Sequence, residues 1–89
     1  MKILNDGNYL ATLRDADNQI LSSGEARFYS SEFRGVFWPQ EQADEDLLLT
    51  KTASVQTSEG HILAIRKIAR CQAGFPPVVH YDFDFEALD

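Results

Sequence analysis

The chain is poor in the features that usually announce a function. It has one cysteine, Cys71, in 89 residues, so no intramolecular disulfide framework can hold it together. No apolar run approaches the ~20 residues that a membrane-spanning helix needs. Neither GxGxxG nor GxxxxGK[ST] occurs, which leaves no glycine-rich cradle for a nucleotide. The start, Met1-Lys2-Ile3-Leu4-Asn5-Asp6-Gly7, turns polar after two apolar residues and lacks the apolar stretch of a secretory signal. These absences make a cytoplasmic protein without a membrane role the expectation.

Positive charge is scarce as well. Eight Lys+Arg stand against fourteen Asp+Glu, a formal net charge of -6. That balance favours solubility. It argues against general nucleic-acid affinity, which Lys and Arg carry.

What is present is hydrophobic alternation. The apolar fraction is 44%, with six Phe, three Tyr and one Trp, enough for one compact core in a single domain over 1–89. Period-two patterning, cut by turn residues, predicts strands at 8–14, 19–29, 33–38, 47–57, 61–71 and 78–86. Asp15-Ala16-Asp17-Asn18 and Ser58-Glu59-Gly60 read as turns, since Asp, Asn and Gly tolerate the required conformations. Gly24 suggests a bulge. A second bulge near Arg66-Lys67 would put Leu63, Ile65 and Ile68 on one side. The acidic connector 39–46 has room for at most one helical turn, with Pro39 near its start.

Six short antiparallel strands with two bulges predict an all-β fold: a small, partly open β-barrel, comparable with SH3-like or OB-like barrels in size and strand count only. The expected core is Tyr9, Ala11, Leu13, Ile20, Ala26, Phe28, Phe33, Phe37, Leu48, Val55, Leu63, Ile65, Ile68, Val79, Tyr81, Phe83 and Phe85.

Chemistry is sparsely encoded. His80, Asp82, Asp84 and Glu86 alternate along one strand face, a pattern better suited to a solvated surface than to the convergent oxygens of a Ca²⁺ site. Cys71, His61 and His80 are the only soft metal ligands. They lack the paired CxxC or HxxxH spacing of zinc sites, and a tetrahedral site would need a fourth ligand such as Asp82. A buried or half-buried cysteine and two surface histidines are expected, with no metal site and no cofactor. Nothing around Cys71 marks an activated thiol, so the chain does not read as an enzyme.

The remaining signal is aromatic and basic. Trp38 is expected to face outward near Arg34, with Arg34 paired to Glu25 or Glu32. Tyr29 lies close by, and Arg66, Lys67 and Arg70 follow on another strand. A non-catalytic module binding a protein or peptide, or pairing with a second copy, fits best. Its binding residues would be Trp38, Arg34, Tyr29, Arg66 and Lys67. A partner's strand added to an open sheet edge is one route. The alternatives are a barrel binding single-stranded nucleic acid by stacking beside cations, and a regulatory subunit of an enzyme.

Overall fold

A computed structural model describes residues 5–86; Met1 to Leu4, read above for targeting signals, lie outside them. Six strands follow the chain: β1 (Gly7–Arg14), β2 (Ile20–Tyr29), β3 (Arg34–Pro39), β4 (Ser54–Thr57), β5 (Ile62–Ala73) and β6 (Val78–Phe85). All neighbours pair antiparallel. The order β1-β2-β3-β6-β5-β4 returns on itself as a closed barrel, where the sequence suggested a partly open one. The closing seam is β1 with β4, from Ala11↔Thr57 to Arg14↔Ser54.

The turns form for the reasons their residues give. One carboxylate oxygen of Asp15 accepts from the backbone N–H of Asp17 and of Gln19, both at 2.9 Å, and Asn18 takes φ 65°. That is the self-bonded turn for which Asp and Asn are suited. Between β4 and β5, Thr57 and His61 exchange a backbone bond of 2.9 Å across Ser58-Glu59-Gly60. Gly60 supplies φ 95°, the left-handed position of a three-residue hairpin.

Gly24 does not mark a bulge. Pairing of β1 with β2 runs unbroken through Ala11↔Gly24, and the register shifts only beyond Leu13↔Ser22. Gly24 instead lets three backbones crowd together: a Cβ there would strike the Trp38 carbonyl oxygen. The expected bulge in β5 is real, with Arg66 the extra residue between Ile65↔Phe85 and Lys67↔Asp84.

The segment 47–57 is not one strand. Glu45–Lys51 forms a helix, α1. Asp44 caps it by accepting from the Leu47 N–H at 3.1 Å. Acidic residues occupy its first turn and Lys51 its last, matching the helix dipole. β3 and β4 lie on opposite sides of the closed order, so their connection must cross an end of the barrel, and α1 makes that crossing. Leu48 enters the core from it, 1% exposed.

The core is otherwise close to expectation. Phe28 lies at its centre, in edge-to-face contact with Tyr9, Phe83 and Phe85 at ring distances of 5.5, 5.7 and 5.9 Å, a geometry that adds to the gain from burial. Phe37, Leu13, Val55, Leu63 and Tyr81 are also buried. Two expected core residues are exposed. Ile20 sits beyond the register shift, where Leu21 packs against the core in its place. Phe33 has left-handed backbone, φ 52°, as the cap of a 3-10 turn at Ser30–Glu32, and so falls out of the strand alternation. Its ring stands edge-to-face against that of Phe85, 6.0 Å between centres.

If α1 closes the barrel through Leu48, Leu48→Ala costs about 2–5 kcal/mol in urea unfolding. Leu47→Ala and Leu49→Ala, whose side chains are exposed, each cost under ~1 kcal/mol. Equal losses at the three leucines would contradict this packing.

Candidate functional site

Side chains of β2, β3, β6 and β5 that point away from the core form one continuous outer face. Register aligns them in rows across the four strands. The first row is Tyr29, Arg34, Asp84 and Lys67. The second is Arg27, Val36, Asp82 and Ala69. Beyond it, Glu25 lies opposite Trp38, and His80 opposite Cys71. The Trp38 and His80 rings are 6.2 Å apart and join these two pairs into a third row.

The first two rows border a shallow depression of about 340 Å³. Tyr29, Arg34 and Lys67 line it together with Asp82 and Asp84. The guanidinium carbons of Arg27 and Arg34 lie 5.7 and 5.6 Å from the centre of the Tyr29 ring, within cation–π range. Arg34 also approaches Glu32 at 3.7 Å with both side chains more than half exposed. Such a pair is weak and leaves the cation available.

Thus three of the five expected binding residues, Tyr29, Arg34 and Lys67, come together. Trp38 shares their face but sits two rows away, half-buried beside His80 rather than next to Arg34. Arg66 occupies the bulge and does not border the depression. Arg70 has the opposite phase from Lys67 and Cys71, and its Nε donates to Glu45 of α1 at 2.6 Å. The basic residues of β5 therefore do not act as one cluster.

The third row corrects the reading of the metal-ligating residues. His61 is buried, not on the surface; its Nδ1 lies 3.0 Å from the Thr57 hydroxyl, and its ring packs edge-on to Tyr9. His80 is half-buried and directly opposite Cys71. The Cys71 thiol donates to Asp82 Oδ2 at 3.2 Å, and His80 Nε2 lies 3.6 Å from Asp82 Oδ1. No local spacing signals this trio, because it forms across a hairpin whose register only the folded sheet fixes.

The hydrogen bond to Asp82 pushes the Cys71 thiol above its ordinary pKa, with partial burial and the Asp82 charge adding to the effect. A thiol held protonated is the reverse of an activated nucleophile. Tyr81 is also raised, by burial and then by the Glu45 carboxylate.

No family model, curated protein or solved structure matches this chain, so its function has to be read from the site itself. No helix among the described residues is long and apolar enough to cross a membrane.

Alkylation of Cys71 by iodoacetamide should be slow at neutral pH, with a rate midpoint above the ~8.5 of a free thiol. Asp82→Asn removes the negative charge and leaves only the weaker amide-oxygen acceptor, and should move that midpoint down. A midpoint unmoved by the substitution would contradict the assignment of Asp82 as the cause.

Proposed function

We propose that this protein is a non-catalytic binding module that takes an extended polypeptide segment on the outer face of β2, β3, β6 and β5. Arg34 and Lys67 hold an acidic side chain of the partner, and Tyr29 orients Arg34 through its ring. The observation that carries this reading is the alignment of Tyr29, Arg34 and Lys67 along one row beside a depression. It gives a chain of net charge -6 two cations on one row, with Asp84 between them.

Two features of the fold narrow the route. The barrel interior is filled by its own side chains, which favours the outer surface. Closure of the sheet weakens the idea of a partner strand added to an open edge. Arg34 and Trp38 are four residues apart on β3, about 13 Å at strand rise. A partner segment of about four extended residues would reach from one to the other, with Trp38 as its apolar anchor. Single-stranded nucleic acid is the weaker reading, because it brings a phosphate at every nucleotide to a chain of net charge -6, whereas a peptide need bring only one carboxylate.

Selection of displayed linear peptides on the full chain should enrich sequences that carry Asp or Glu near an apolar residue. Calorimetry on a selected peptide should show affinity falling at least about tenfold, ~1.4 kcal/mol, in Arg34→Glu and in Lys67→Glu. Binding indifferent to both reversals would refute this face. An oligothymidylate bound with steep salt dependence would favour nucleic acid instead. A dimer in sedimentation that dissociates on either reversal would make a second copy the partner.

A further inference from the structure

We propose that Cys71, His80 and Asp82 form a binding site for a divalent transition-metal ion, with zinc the best fit. This does not depend on the peptide reading.

The site is built by sheet geometry. Cys71 and His80 are directly opposite in the β5–β6 register, so their Cβ atoms are about 5 Å apart. His80 and Asp82 are two residues apart on β6 and share its outer face. One donor atom from each residue can be chosen so that all three lie within 4.8 Å of one another. A tetrahedral zinc with bonds of ~2.0–2.3 Å places its donors about 3.3–3.6 Å apart. Cys71 Sγ lies 3.2 Å from Asp82 Oδ2 and His80 Nε2 lies 3.6 Å from Asp82 Oδ1, separations near that size on the two oxygens of one carboxylate. Rotation that turns one Asp82 oxygen toward both partners, with closure of separations of up to 4.8 Å, would bring all three donors onto one ion.

The donor set selects the ion. A thiolate and a carboxylate together carry two negative charges, and a neutral imidazole adds none, so a divalent cation is neutralised. Sulfur and imidazole favour zinc and its late first-row neighbours over Ca²⁺ and Mg²⁺, which want oxygen. On binding, the Cys71 S–H bond gives way to a sulfur–metal bond, and the proton passes to solvent. Asp82, now bonded to the thiol, takes a metal bond through one carboxylate oxygen. Three protein ligands leave the fourth position to water, on the solvent side where Asp82 is exposed. Trp38, the one tryptophan in the chain, has its ring 6.2 Å from that of His80 and reports on the site by fluorescence.

The test is titration of the full, reduced chain with Co²⁺. The expected result is one ion per chain, a thiolate-to-cobalt charge-transfer absorption, parallel quenching of Trp38 emission, and displacement of the cobalt by Zn²⁺. Cys71→Ser should abolish the absorption. His80→Ala and Asp82→Asn should each weaken binding at least about tenfold, the loss that even an outer-shell change produces. Far-UV circular dichroism checks that each variant is folded. Should one fail to fold, a rise in the wild-type melting temperature with Zn²⁺, absent with Mg²⁺, supports the site. No thiolate absorption in the wild type would overturn the proposal. So would an absorption unchanged in both His80→Ala and Asp82→Asn, which would report a lone thiol. Half an ion per chain with dimerisation would overturn it too.

Discussion

One inserted residue sets the chemistry of the outer face. Before the bulge, Leu63 and Ile65 point toward the core. Unbroken alternation would then send Lys67, Ala69 and Cys71 inward as well. Arg66 adds a step without a partner on β6, so the phase reverses. Ile68 then packs against the core, while Lys67 and Cys71 face outward. Lys67 meets Asp84, and Cys71 meets His80. Without that step, Lys67 would be sent toward the apolar interior, where an unpaired charge is costly.

The same strand shows how the barrel divides its work. Its first half closes the sheet against β4, which is only four residues long. Its second half outruns β4 and pairs with β6 alone, so the far end of β5 lies beside α1, where Arg70 meets Glu45. Packing faces inward and toward the helix, and Arg34, Lys67, Asp82 and Asp84 face out. A barrel this small has no room for both in its interior. Its sites must be built on the outside, from side chains that neighbouring strands hold at fixed spacing. The fixed strand spacing suits a binding surface or a set of metal ligands, since little backbone freedom remains to be lost on binding.

Much of this was legible in the chain. Val79, Tyr81, Phe83 and Phe85 alternate so regularly with His80, Asp82, Asp84 and Glu86 that one strand with one wet face was the only economical reading. The imperfect phase of 61–71 pointed to the Arg66 bulge. The helix was missed although its signal was present. Asp44 stands three residues before Leu47, acidic residues follow the cap, and 47–49 is a run of unbranched-Cβ leucines, which suits a helix better than a strand. Gly24 was misjudged because a glycine inside a strand permits either a bulge or close backbone approach, and local sequence does not distinguish them. Phe33 went astray for a related reason: a left-handed phenylalanine is rare enough that no local rule expects it.

The sequence by itself determined what β1 and β6 would bury, because alternation is a property of neighbouring residues and the hydrophobic effect acts on it without reference to the rest of the chain. It also determined the two turns around Asp15 and Gly60, whose residues satisfy their own backbone. Only the tertiary structure decided that the sheet closes, and that Tyr29, Arg34 and Lys67 share a row. The same holds for Cys71 lying against His80 and Asp82. These are facts of register between strands, and register is fixed by the fit of the whole core rather than by any one segment.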